Sequence, residues 1–136
     1  MAVRYLLDTN VCVVYLNGRS LHVRQRLRAV DLEDVAVCSV VKAELFYGAW
    51  RSTNPQQALA RQQRFLEAFG SLPFDDHSAE IAGQLRAQLA ALGTPIGSND
   101  LLIAAIALVN NRILVTHNTR EFGRLAGLQI EDWETE

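Results

Sequence analysis

Apolar residues fall in short runs separated by longer stretches of helical spacing. Val3–Leu7, apolar apart from Arg4, reads as a buried strand. Val35–Cys38, Leu72–Phe74, Ile113–Val115 and Leu128–Ile130 read as four more. The intervening stretches carry helix signals. Asn54 caps a helix with Pro55 at its first position, Ala58, Phe65, Leu66 and Phe69 keep its spacing, and Gly70 closes it. From His77 to Leu92 a face of Ile81, Leu85, Leu89 and Leu92 ends at Gly93. Ser98 can cap a helix whose body, Leu101–Val109, is apolar all round and therefore buried on most sides. Val11–Leu16 is ambiguous, because its β-branched residues favour strand while its position suits a helix. Strands alternating with helices predict an α/β fold, a sheet covered on both faces. No repeat, low-complexity tract or linker divides the pattern, so residues 1–136 read as one domain.

Three carboxylates interrupt this pattern where apolar residues are expected. Asp8 follows the first strand at its carboxyl end, the edge where open α/β sheets bind ligands. A turn or cap in Asp8-Thr9-Asn10 is the plainer reading. Glu44 shares a face with Val41, Leu45 and Gly48 in a helix starting near Ser39, where an unpaired charge costs several kcal/mol. A buried arginine partner would also explain it. Asp100 lies in the first turn of the most apolar helix, where the helix dipole would favour it. Thr116-His117-Asn118 follows the Ile113–Val115 strand, and Asn118 with Glu121 matches a capping box. Together the three carboxylates would suit a hard cation such as Mg²⁺, which takes oxygen ligands.

Composition removes most rival chemistries. There is no Ser-His-Asp arrangement, glycine-rich phosphate loop, CxxC or HExxH, and His22, His77 and His117 have no second ligand at metal spacing. Cys12 and Cys38 read as reduced core residues, the pattern of a cytoplasmic protein. The longest apolar run has nine residues, so no membrane span is expected. The N-terminus lacks a secretory apolar stretch.

Charge needs a closer look. Lys and Arg number 13 against 15 Asp and Glu, a net charge of -2 that at first argues against nucleic acid. Yet Glu131, Asp132, Glu134 and Glu136 crowd the C-terminal end, and the remainder is 13 basic against 11 acidic. Net charge reports an average, while binding depends on where charge sits. Arg24 and Arg28 share one face of the Ser20–Val30 segment and could contact phosphates, although a solvated helix face is the ordinary reading. Arg120, two residues after Asn118, is a better candidate for an RNA phosphate contact close to the acidic residues. Phe46, Tyr47 and Trp50 could form a groove for a partner helix, with Phe46 also a natural core residue and Trp50 exposed.

Four blocks carry a family resemblance: Leu6-Leu7-Asp8-Thr9-Asn10, Ser39-Val40-Val41-Lys42-Ala43-Glu44-Leu45, Pro95 to Ala104, and Leu114 to Phe122. In this order and spacing they resemble the PIN-domain nucleases, and more narrowly the VapC toxins of VapBC type II toxin–antitoxin systems. The closing Leu128–Trp133 resembles the subgroup that cuts initiator tRNA in the anticodon stem-loop. The resemblance implies a three-layer α/β/α PIN domain with a mainly parallel five-stranded sheet, and an Mg²⁺-dependent endoribonuclease in which Mn²⁺ can substitute. Asp8 and Asp100 would be direct metal ligands, and Glu44 would complete the acidic site partly through water. Asn118 falls where many relatives carry a fourth acid, which points to one protein-held metal and a second recruited with substrate. Thr9, Asn10, Ser39 and Thr116 would supply hydroxyl or amide contacts to these groups. Cleavage by activated water would leave 5′-phosphate and 3′-hydroxyl ends. A VapB-type antitoxin, a homodimer, and operator DNA reached only through the antitoxin are the implied partners.

Two rival classes remain. In a metal-dependent phosphohydrolase Asp8 would be the nucleophile, but such enzymes usually carry a second Asp where Asn10 stands. In a non-catalytic PIN scaffold the carboxylates would cluster at an electrostatic cost with no return.

Overall fold

A computed structural model describes residues 3–135. Five strands form one sheet in the order β3-β2-β1-β4-β5: β1 Tyr5–Leu7, β2 Val35–Cys38, β3 Gly70–Leu72, β4 Ile113–Val115 and β5 Ile130–Glu131. Every pairing is parallel, so the sheet is wholly parallel rather than mainly so. Parallel neighbours require crossovers. These are supplied by α1 Thr9–Asn17, α2 Leu21–Ala29, a 3₁₀ turn at Leu32–Asp34, α3 Ser39–Trp50, α4 Pro55–Leu66, α5 Asp76–Ala91, α6 Ser98–Val109 and α7 Thr119–Phe122. The result is the three-layer α/β/α arrangement. Among the described residues no helix is long and apolar enough to cross a membrane.

β2 is buried along its whole length, as expected of a central strand covered on both faces. α6 buries Leu101, Ile103, Ala104, Ala105, Ile106 and Ala107, which is why its apolar residues follow no single stripe. Its alanines let it lie close to α5, which presents Ala82, Leu85 and Leu89. Trp133 and Phe122 are fully buried, and the Trp133 ring meets Tyr5 edge-on at 5.2 Å. Burial of such aromatic rings stabilises each site by roughly 1.5–3 kcal/mol. Cys12 and Cys38 are free thiols in the core.

Several boundaries shift from the sequence reading. Val11–Leu16 resolves as helix, since Asp8 caps it and tertiary packing outweighs β propensity. Gly70 opens β3 instead of closing the preceding helix, which already ends at Leu66, and Phe74 lies beyond the strand. The fifth strand is displaced to Ile130–Glu131, where register with Leu114 and Val115 fixes it. Ser98 is the first residue of α6, not its cap; Gly97 holds that place. α5 runs from Asp76 to Ala91 rather than from His77 to Leu92, and Asp75 caps it by accepting from Ser78 N. Gly93 adopts the left-handed φ of +69° expected after a helix.

Candidate active site

The short strands bring separate acids to one edge. Because Leu7 pairs with Val115, the residues that follow, Asp8 and Thr116, emerge side by side at the carboxyl end of the sheet. The Asp8 backbone N–H donates to Val115 O at 3.0 Å. Its side chain caps α1: Oδ1 accepts from Thr9 N at 2.8 Å, and Oδ2 accepts from the buried Thr116 hydroxyl at 2.8 Å. Thr9 reaches across to α3, where its hydroxyl donates to Glu44 Oε1 at 2.6 Å. Two threonines therefore hold two carboxylates from different elements. Asp100, from the first turn of α6, faces the same group.

Among the described residues no Lys or Arg forms an ion pair with these acids. Burial raises the Asp8 carboxyl above its ordinary value, the hydrogen bonds from Thr116 and Thr9 oppose the rise, and the Glu44 charge adds to it. Asp100 is pushed up to about 6, first by burial, then by the charges of Asp8, Glu121 and Glu44 and by a hydrogen bond with Glu121. The ion pairs among the described residues lie elsewhere, at Arg26–Glu131 and at His117 with Asp132 and Glu134. The arginine partner considered for Glu44 is thus replaced by a hydroxyl and by more acid. Clustered carboxylates raise one another's proton affinity, and a divalent cation lowers it. Oxygen donors that are partly desolvated and held by hydroxyls fit a hard divalent cation.

Glu121, on α7, is the member that sequence reasoning assigned elsewhere. The capping box does not form, since the Asn118 side chain makes no cap bond to the helix. Instead Asn118 Nδ2 donates to Glu121 Oε2 at 2.8 Å, and the Glu121 carboxylate turns to Asp100. The available signal was a capping motif beside a polar strand end, which has two readings. Asn118 N also donates to Thr116 Oγ1 at 3.0 Å, so one hydroxyl joins Asn118 to Asp8. Gly123 closes this turn, where an added Cβ would lie 2.7 Å from Thr119 O.

Other expected contacts are absent or point away. Ser39 is exposed, and its hydroxyl accepts from Phe74 N at 3.2 Å, tying α3 to the residues after β3 instead of touching the acids. Its position as the first residue of α3, with Cys38 as cap, turns it outward. Asn10 is exposed on α1. Arg24 stacks 5.6 Å over Tyr15, and Arg28 lines an apolar groove, so neither stands in the acidic group. Arg120 is exposed on α7, beside Asn118 and Glu121. Phe46 packs against the core, whereas Tyr47 and Trp50 are 63% and 64% exposed.

The groove lies between α1, α2 and α4 and measures about 570 Å³. Tyr15, Leu27, Val30, Phe65 and Phe69 line it together with Arg28, Arg61 and Arg64.

Comparison with known proteins agrees with this architecture. The PIN domain pattern matches residues 5–128. The tRNA(fMet)-specific endonuclease VapC of Salmonella typhimurium is 37% identical over 130 residues, covering 96% of this chain and 98% of the relative. Ribonuclease VapC2 of Rickettsia felis is 36% identical over 131 residues, with 96% and 98% covered. Among solved structures, DNA-bound VapBC from Salmonella typhimurium superposes with a TM-score of 0.91 at 36% identity, covering 97% of this chain and 99% of that one. VapBC2 from Rickettsia felis bound to a promoter DNA fragment gives 0.90 at 35% identity, with 96% and 99% covered. An all-parallel sheet with acids at its carboxyl edge, matched along nearly its whole length, belongs to the PIN-domain family, and within it to the VapC toxins.

Proposed function

We propose that this protein is the toxin of a type II toxin–antitoxin pair and acts as a metal-dependent endoribonuclease. The observation that carries this reading is the convergence of Asp8, Glu44 and Asp100, with Glu121, in a partly buried group with which no lysine or arginine among the described residues pairs. Such a group is costly unless a cation joins it. Asp8 and Asp100 would hold the ion, with Glu44 contributing partly through water. When bound, Mg²⁺ supplies positive charge against a phosphate and makes water a better nucleophile. Thr9 and Thr116 fix the Glu44 and Asp8 carboxylates in place. Asn118 holds the Glu121 carboxylate. Arg120, exposed on the adjoining turn, supplies a cation to the RNA backbone.

Initiator tRNA is the substrate this reading favours, because the relative in Salmonella typhimurium is named for tRNA(fMet) and the match spans nearly the whole chain. An anticodon loop offers unpaired bases and a bent backbone to such a site. A VapB-type antitoxin is the partner, as in the VapBC assemblies the fold matches. The apolar groove of α1, α2 and α4, lined also by three arginines, suits a segment of that antitoxin with apolar and acidic residues. Operator DNA would be reached only through the antitoxin. Tyr47 and Trp50, three residues apart on α3, are exposed rings that a second copy of the chain could cover. Both Asp8 oxygens already accept hydrogen bonds, which suits a positioned ligand better than a covalent nucleophile.

The test is cleavage of purified tRNA by antitoxin-free protein in Mg²⁺ or Mn²⁺, with EDTA and Asp100→Asn as controls. A single product mapped to the anticodon stem-loop, absent from both controls, is expected. Equal cleavage in every lane would sink the reading.

A further inference from the structure

A second group of metal donors lies outside the four acids. His117, Asp132 and Glu134 each offer one ligand atom, and these three atoms lie within 4.8 Å of one another. His117 Nδ1 is 2.9 Å from Asp132 Oδ2 and 3.9 Å from Glu134 Oε2. We propose that these residues form a binding site for a divalent transition cation of the Zn²⁺ class, separate from the catalytic group.

Three features favour this. The donor set combines an imidazole nitrogen with two carboxylate oxygens, a mixture that Zn²⁺ accepts and that Mg²⁺, an oxygen-seeking ion, does not prefer. Ligand atoms about 2.0–2.2 Å from one ion can be no more than about 4.4 Å apart. The two separations from His117 Nδ1 fall inside that limit, and the whole set lies within 4.8 Å, which a small side-chain rotation would bring into range. Lastly, the carboxylates are already largely removed from water: their side chains are 17% and 21% exposed. Their only recorded ion-pair partner among the described residues is His117, a cation only when protonated. Zn²⁺ would serve in its place once the imidazole is neutral.

The fold explains why the site is distinct. Just after β4 the chain bends at His117, and the side chains on either side of the bend part. Thr116 points to Asp8, and His117 points away, to the segment after β5. Glu134 N donates to Asp132 Oδ1 at 2.9 Å, holding that carboxylate so that Oδ2 faces the imidazole. A bound ion would therefore fasten the C-terminal segment to the turn that carries Asn118. Three protein ligands leave a fourth position for water.

Calorimetric titration of ZnCl₂ into the full chain carrying Asp8→Asn and Asp100→Asn reads this site with the catalytic ligands disabled. One Zn²⁺ per chain at pH 7.5 is expected. Adding His117→Gln or Glu134→Gln should weaken binding at least tenfold, with the fold checked by circular dichroism. The His117 ring signals in NMR should move on addition of Zn²⁺ at the same stoichiometry. Absence of binding in the Asp8→Asn/Asp100→Asn chain, or binding that both further variants leave unchanged, overturns the proposal. Neither readout involves RNA cleavage, so failure here is separable from failure of the nuclease reading.

Discussion

The two ends of the sheet handle charge in opposite ways. At the amino end Arg112, just before β4, donates to Tyr5 O at 3.2 Å and to Asp34 O at 3.3 Å, gathering the starts of three neighbouring strands. Burial, and then the nearby Arg4, pull its guanidinium below the ordinary value, yet its charge meets carbonyl oxygens. At the carboxyl end Asp8, Glu44, Asp100 and Glu121 meet mainly hydroxyls and one another. One end uses a charge to hold strands together; the other holds charges together against their repulsion. A cluster that costs stability is a natural place for function, whereas a charge satisfied by backbone needs no further explanation.

This contrast can be broken experimentally. Asp100→Asn should lower tRNA cleavage by more than about 100-fold, because loss of a metal ligand exceeds the 10–100-fold cost usual for groups that merely orient one. Single-turnover kinetics with saturating Mg²⁺ measures this. Thr116→Val keeps the shape but removes the donor to Asp8 and the acceptor for Asn118 N; activity or metal affinity should fall about 10–100-fold. Arg112→Ala should do the reverse. It should destabilise the fold by about 1–3 kcal/mol in urea denaturation, since two carbonyls lose a charged donor, while cleavage per folded molecule stays unchanged. A loss of cleavage matching that of Thr116→Val would abolish the distinction between the two ends.

The smallest effect has a defined pH dependence. Asp100 binds its proton more tightly in the folded chain, where it titrates near 6, than in the unfolded chain, where a carboxyl titrates near 3.8. Ionisation therefore costs folding stability, a cost absent below pH 4, rising through pH 4–6 and full above it. In EDTA at pH 7, Asp100→Asn should be more stable than the parent by on the order of 1 kcal/mol, because water screens the half-exposed carboxylate. Near pH 4 the advantage should vanish. Thermal melts at the two pH values give the comparison directly. The same proton competition predicts that Mg²⁺ affinity falls as pH drops through about 6.

Sequence reading reached the acidic end more easily than the amino end. Asp8 and Glu44 stood out because each interrupts an apolar pattern, and the family blocks named Asp100 with them. The α6 helix was legible for the same reason, since nine successive apolar residues admit few other fates. Arg112 gave no such signal: a single arginine before a strand looks like surface until Tyr5 and Asp34 are brought beside it. Glu121 was visible only as a capping partner, because its turn toward Asp100 depends on packing between α6 and α7. Ser39 was legible as a hydroxyl at a helix start, but its bond from Phe74 N, to residues after β3, was not, because it depends on how α3 meets that segment. The His117 group joins residues 15 and 17 positions apart, and local spacing does not reveal it.

Thr116, His117 and Asn118 also set a limit on how this chain can vary. Three consecutive side chains go to three different places: Asp8, the Asp132 carboxylate and Glu121. A one-residue insertion or deletion in that turn would exchange these destinations, sending an imidazole toward the acids and a hydroxyl outward. Length at this turn should therefore be less tolerant of change than residue identity at its exposed position. Libraries that separate indels from substitutions would see the difference.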